Sequence, residues 1–345
     1  MLPLLRARAG PLVLPLTYLL LFIFLYGSIS GVRYGGKHLG NLSVSHGTNY
    51  AEIANSTLVE LQANVHNHID ISDFAGMGDR MALFSRLANA VAHDKSLDYK
   101  PLVALLRQQF HWWEPAWSIY APWSSRGWGR KQTTGIIICA GANSFVYAGH
   151  LIRTLRYTLK SQLPIEIAYS GEADLPFEHR AALKALDNNI ETLNLLDYFD
   201  DSIAGLQNGG FAQKPFAMLA SSFQRVILLD ADIIFLQNPD HIFENEPGLA
   251  ETGTLFWHDR SFIQTDDSAT DRHSWFKGFM DGREPSDMLS KSLFWTGNTY
   301  HEMESGAVCM DKGRADVFMS LVFATWMNTE EVRSVTYAHT YGKQT

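Results

Sequence analysis

Downstream of residue 128, short apolar runs alternate with amphipathic stretches. Gly135–Ala140, Pro164–Tyr169, Glu191–Leu196, Arg225–Phe235, Thr254–His258 and Ala307–Asp311 are rich in β-branched and aliphatic residues and read as strands. Between them, Tyr147–Leu159, Phe177–Leu186 and Pro215–Phe223 place apolar residues at helical spacing. This alternation predicts an α/β fold: a mostly parallel sheet with helices on both faces. Residues 128–345 are numerous enough to bury one core as one domain. Upstream, Ala51–Val65, Asp79–Ala92 and Pro101–Phe110 also carry helical spacing, with Asp79 a candidate N-cap. They predict a largely helical stem over residues 35–127, entered through a Gly-, Ser- and Asn-rich linker at 35–50. Trp112, Trp113, Trp117, Trp123 and Trp128 are expected to pack this stem onto the following domain. Residues 259–300 break the pattern: polar, without clear periodicity, they read as a functional lid or a partly ordered insertion.

The N-terminus has a different texture. The 24 residues between Arg8 and Arg33 carry no charge and are rich in Leu, Phe, Ile and Tyr. At ~1.5 Å per residue they suffice to cross a hydrocarbon core of ~30 Å. Residues 1–34 are therefore read as a cytoplasmic tail and transmembrane signal anchor, in preference to a signal peptide cleaved near Ser28-Ile29-Ser30. The rest of the chain is then lumenal, and the sequons at Asn41 and Asn55 agree with that side.

Charge and cysteine content narrow the classes. A net charge of −8 offers no basic surface to nucleic acid. The two cysteines, Cys139 and Cys309, sit in apolar strand candidates without zinc-like spacing, and are expected to be buried free thiols.

Candidate chemistry centres on Asp230 and Asp232, which end the apolar run Val226–Leu229 and precede Ile233–Leu236. In extended geometry, carboxylates two residues apart share one sheet face. Converging there, they call for a hard divalent cation, Mg²⁺ or Mn²⁺, which also holds nucleotide phosphates. Gly141, in the turn after the first strand, lets backbone approach a nucleotide. Lys214, beside Pro215 at a helix start, is a candidate phosphate contact. His258, Asp259 and Arg260 form a polar trio after a strand, suited to sugar hydroxyls or to a structural charge cluster. Glu304, in a Glu-Ser-Gly turn before another strand, is aimed at the same strand-end crevice. His339 is expected in a strand-to-loop setting, where a neutral imidazole could complete the cation's shell.

Several blocks occur here in one order: Ile-Ile-Cys-Ala-Gly-Ala-Asn, Lys-Pro-Phe-Ala-Met-Leu-Ala-Ser-Ser-Phe, Val-Ile-Leu-Leu-Asp-Ala-Asp-Ile-Ile-Phe-Leu-Gln-Asn-Pro, Thr-Gly-Thr-Leu-Phe-Trp-His-Asp-Arg and Glu-Ser-Gly-Ala-Val-Cys-Met-Asp-Lys. Over residues 133–345 the chain thereby resembles the fungal α-1,3-mannosyltransferase family, Golgi type II membrane enzymes of GT-A fold. The resemblance implies a GDP-mannose donor, Mn²⁺ (or Mg²⁺), a mannose-terminated glycan or glycoprotein acceptor, and retention of anomeric configuration. It assigns Asp230 and Asp232 to the metal and likens His339 to a late histidine ligand. Glu304 falls in a family block and, with Asp232, is the candidate for catalysis. The end Tyr341–Thr345 reads as shortened against the family pattern, so a C-terminal truncation is expected. Two alternatives share most of these motifs: a nucleotide-sugar-binding protein without catalysis, and a GT-A transferase using a UDP-sugar. A membrane-anchored lectin would instead stack sugars on the tryptophans.

Overall fold

A computed structural model describes residues 48–113, 120–123, 133–258, 274–299 and 303–340. The six strand-like segments form one sheet: β1 (Thr134–Cys139), β2 (Ile165–Tyr169), β3 (Ile190–Asn194), β4 (Arg225–Asp230), β5 (Thr254–His258) and β6 (Met303–Asp311). Their order is β3-β2-β1-β4-β6-β5. The first four are mutually parallel, and β6 runs antiparallel between β4 and β5. The carboxyl ends of β1, β2 and β4 therefore share an edge with the start of β6, which is where ligands bind in open α/β sheets. The principal helices are α1 (Tyr50–Asn64), α2 (Phe74–His93), α3 (Lys100–Gln109), α4 (Phe145–Arg153), α5 (Phe177–Lys184), α6 (Gln213–Ala220), α7 (Ala315–Met327) and α8 (Glu330–Thr340).

Both sheet faces are covered, which explains why the strands read as continuous apolar runs. On β4, Val226 and Leu228 enter one core while Ile227 and Leu229 enter the other. The second core is closed by Ala148, Leu151 and Ile152 of α4 and Leu183 of α5. The first is closed by α6 and α7, and it continues without a break into α2 and α3 through Phe74, Phe84, Leu102 and Leu106. The expected stem is thus no free-standing rod. Its helices form a layer over α7, with Phe74 5.8 Å from Trp326 between ring centroids. Trp112 lies against Phe199 and Phe216, and Trp113 and Trp123 against Phe318, as the tryptophan pattern predicted. Trp117 and Trp128 lie outside the described residues.

Four local expectations change. The fourth strand stops at Asp230 rather than Phe235: the chain turns at Ala231-Asp232, where the Ile233 N–H donates to the Asp230 carbonyl at 3.2 Å. Ile234 and Leu236 are consequently 77% and 87% exposed. Helix α2 starts five residues before Asp79, and its cap is Asp73, whose carboxylate accepts the Gly76 N–H at 2.7 Å. Asp79 lies inside the helix and takes both Arg283 amino groups at 2.9 Å. That pair pins the described part of the aperiodic stretch, residues 274–299, to α2. Phe276, Met280, Leu289 and Phe294 of this part join the first core, so it is neither loose nor lid-like. Finally, residues 335–340 are helical, in α8, not strand-to-loop.

Asn55 is exposed on α1, but Thr57 of the same sequon is buried. Its hydroxyl donates to the Ile53 carbonyl and accepts from Arg86 Nε, both at 2.7 Å, so it serves the packing of α1 on α2. Cys139 and Cys309 are free thiols on β1 and β6, separated by β4 and packed toward opposite cores. No helix among the described residues is long and apolar enough to cross a membrane. The predicted anchor at 9–32 and the sequon at Asn41 lie outside the described residues.

Candidate active site

The edge formed by the ends of β1, β2 and β4 and the start of β6 gathers most of the singled-out residues. After β1 the chain makes a tight turn. The Ser144 N–H donates to the Gly141 carbonyl at 3.0 Å, and the Gly141 N–H to Ser144 Oγ at 3.0 Å. The Ala142 N–H donates to the Asp174 carbonyl at 2.7 Å, which ties this turn to the loop after β2. A Cβ at Gly141 would lie 2.6 Å from Asp174 Oδ1, so glycine is what lets the carboxylate sit against the turn. Asp174 Oδ2 accepts the Ser170 N–H at 2.8 Å and faces the Gln213 amide at 3.5 Å. Asp174 was not among the predicted residues. Its signal is the sequence Ser170-Gly171-Glu172-Ala173-Asp174, a second glycine-containing turn directly after a parallel strand.

Asp230 ends β4 opposite Cys139 of β1. Burial raises its carboxyl above the usual range. The Lys214 ammonium opposes that shift, and the neighbouring Asp232 and Glu304 carboxylates add to it. Asp232 is exposed, on the turn. The two aspartates come together through this turn, not through a shared face of an extended strand. Lys214, in the first turn of α6, is only 3% exposed. Its Nζ stands 2.5 Å from Asp230 Oδ1, donates to the Ser305 carbonyl at 3.2 Å and lies over the Phe211 ring. It is engaged by protein groups, not held out toward solvent for a phosphate.

Glu304 reaches the edge through a strand irregularity. β5 pairs Phe256 with Val308 but Trp257 with Glu304, so Ser305, Gly306 and Ala307 bulge out of the β5 register. Glu304 Oε1 accepts the Ser305 and Gly306 N–H groups at 2.8 and 2.9 Å. Gly306 leaves a gap between carboxylates: a Cβ there would lie 3.4 Å from Glu304 Oε1 and 3.7 Å from Asp230 Oδ2. Oxygen donors facing such a gap, with Asp232 beside them, have the hard chemistry that Mg²⁺ or Mn²⁺ takes. Among the described residues no group of three His, Cys, Asp or Glu is arranged to hold a metal unaided. His339 lies in α8 with its side chain outside what is described. His258 is exposed at the end of β5, opposite Met303, while Asp259 and Arg260 lie outside the described residues.

A family model described as "Mannosyltransferase putative" matches residues 133–344, more than half of the chain. The chain belongs to that mannosyltransferase family. The mixed sheet with a core on each face is the α/β fold that the sequence predicted. Similar relatives include the alpha-1,2-mannosyltransferase MNN2 of Candida albicans, 31% identical over 131 residues. That match covers 37% of this chain and 21% of MNN2. The "Putative alpha-1,3-mannosyltransferase MNN15" of the same organism is 26% identical over 244 residues, covering 58% of this chain and 32% of MNN15. The chain thus spans about a fifth to a third of these relatives' length. Among solved structures it is similar to galactosyltransferase LgtC in complex with donor and acceptor sugar analogs, at 14% identity and TM-score 0.36, covering 58% of this chain and 66% of that one.

Proposed function

We propose that this member of the mannosyltransferase family transfers mannose from GDP-mannose to a mannose-terminated glycan, using Mn²⁺ or Mg²⁺ held at Asp230 and Asp232. The observation that carries the reading is the gap over Gly306, bordered by the Asp230 and Glu304 carboxylates at the ligand-binding edge of the sheet. When bound, the cation supplies Lewis-acid stabilisation of the departing diphosphate. The chain's own residues do the rest. The turn at Gly141, braced by Asp174, receives the nucleoside. Asp232, exposed on its turn, would hold the cation together with Asp230 from the solvent side. Glu304 has Oε1 fixed by two backbone N–H groups, and it offers its carboxylate to the positive charge that develops on the transferred sugar.

The same reading makes the product linkage α-1,3 with retained configuration. The matched relatives carry α-1,2 as well as α-1,3 names, so NMR of the product disaccharide is the deciding measurement. It also makes the protein a Golgi type II membrane enzyme anchored by residues 9–32, which protease protection of the full chain in sealed microsomes tests.

The experiment is a thermal-shift titration of the full chain with GDP, UDP and GDP-mannose, each with Mn²⁺ and with EDTA. A ligand specific for the folded state stabilises it by ~2.7 kcal/mol at about a hundred times its dissociation constant. The expected result is a Mn²⁺-dependent rise with GDP and GDP-mannose and none with UDP. Equal shifts in EDTA, or none at all, would overturn the metal-nucleotide reading.

A further inference from the structure

We infer that Lys214 makes cation binding at Asp230 conditional on the nucleotide. The inference rests on the proposed metal role of Asp230 and Asp232. The Lys214 ammonium already stands where a counter-ion to Asp230 would stand, 2.5 Å from Oδ1, and it is almost wholly buried. It is also fixed from a second direction, by its bond to the Ser305 carbonyl in the bulge that directly follows Glu304 and includes Gly306. One ammonium therefore holds the end of β4 and the start of β6 in register across the gap.

Two consequences follow for a divalent ion. Asp230 enters the site with one oxygen committed, leaving Oδ2, which faces Gly306, as its free donor. A cation arriving at Oδ2 meets the ammonium's repulsion across a single carboxylate, in partly buried surroundings where screening is weak. Two aspartates leave most of a hard cation's oxygen shell open and offset little of this repulsion. A nucleoside diphosphate supplies both missing things, negative charge and hard oxygen donors. Lys214 is thus a positioning residue that keeps the acidic edge assembled without a metal and lets the metal enter together with its diphosphate.

The test is Mn²⁺ binding, followed by the EPR signal of free Mn²⁺, with and without saturating GDP. It uses the full-length wild type, Lys214→Met and Lys214→Arg. For the wild type, Mn²⁺ should bind at least a hundredfold more tightly with GDP than without. Lys214→Met should shrink that ratio at least tenfold, by strengthening binding in the absence of GDP, and Lys214→Arg should restore it. A purely structural lysine would instead weaken both affinities by the same factor, and that result overturns the inference. If Lys214→Met does not fold, the wild type decides alone: equal Mn²⁺ affinity with and without GDP sinks the idea. Mn²⁺ failing to bind even with GDP would instead overturn the metal role proposed above. Joint binding of Mn²⁺ and GDP with an unchanged ratio in Lys214→Met would remove only the role given to Lys214.

Discussion

Lys214 and Lys312 are both buried, at opposite edges of one sheet and at opposite ends of helix α6, and they are neutralised in different ways. Lys214 meets a carboxylate and one carbonyl at the edge formed by the ends of β1 and β4 and the start of β6. The hydrogen bonds of Lys312 go to carbonyls alone. Its Nζ donates to Met218 and Ser221 at 2.8 Å and to Leu219 at 3.5 Å, and it lies over the Tyr120 ring. These carbonyls belong to the last turn of α6, the negative end of its dipole, where an ammonium caps unpaired acceptors. Neutral acceptors in a closed pocket make a cation part of the fold. A carboxylate partner at an open edge makes a cation a competitor for whatever else that carboxylate binds.

The largest expected effect is at the open edge. Asp232→Asn should lower the transfer rate about 10²–10³-fold, the range seen when a preorganised charge is lost at a reacting centre. Because Asp232 is exposed, its melting temperature should stay that of the wild type. A stability loss as large as the activity loss would erase the distinction between the two edges.

Lys312→Met should do the converse. Leaving two or three buried carbonyls without a donor costs about 2–4 kcal/mol, partly offset by removing a buried charge. Denaturant unfolding should show that loss, while GDP affinity measured well below the melting transition should be retained.

A finer test uses pH. Burial pushes the Lys312 ammonium down to about 7, against the pull of the Glu166 carboxylate, whereas the unfolded value is 10.5. Between these values the unfolded chain holds the proton and the folded one releases it, so this group's contribution to stability grows as pH rises from 7 toward 10.5. Below pH 7 both states are protonated and the contribution is flat at its minimum. The difference in melting temperature between wild type and Lys312→Met should therefore change across that window and level off below it.

The smallest effect is expected at the Asp79–Arg283 pair, which is partly exposed. Asp79→Asn should cost no more than about 1 kcal/mol, measured by the same denaturant titration, and should leave transfer unchanged.

Most strand positions were legible because a strand buried on both faces leaves a simple trace, a run such as Val226–Leu229 bounded by polar residues. The end of β4 was not. Ile233–Leu236 has strand-like composition, and only the turn closed by Ile233 onto Asp230 shows that these side chains leave the sheet. Gly141, Asp230 and Glu304 meet at one edge because the ends of β1 and β4 and the start of β6 converge there, and Lys214 joins them from α6. The partnership of Lys214 with Asp230 was invisible, since it joins residues from different elements. Asp73 capped α2 in place of Asp79 because a cap depends on where the backbone leaves the helix, which spacing locates to within a few residues. Residues 274–299 looked structureless because Phe276, Met280, Leu289 and Phe294 reach the core from short helical segments and turns and follow no single period.

The separation of the two cysteines by β4 has a practical outcome. Oxidation cannot staple the sheet through Cys139 and Cys309, so no bridge between them has to form or reshuffle on refolding. Burial raises both thiols well above their usual range, that of Cys139 to about 12, which leaves each poorly reactive in the folded protein. Alkylation during a brief pulse would then count openings rather than chemistry. Cys309, wholly inside one core, would report exposure of that core, and Cys139, beside the ligand edge, would report loosening of the site. Two native sulfur atoms thus make the protein its own two-channel clock for local and global opening.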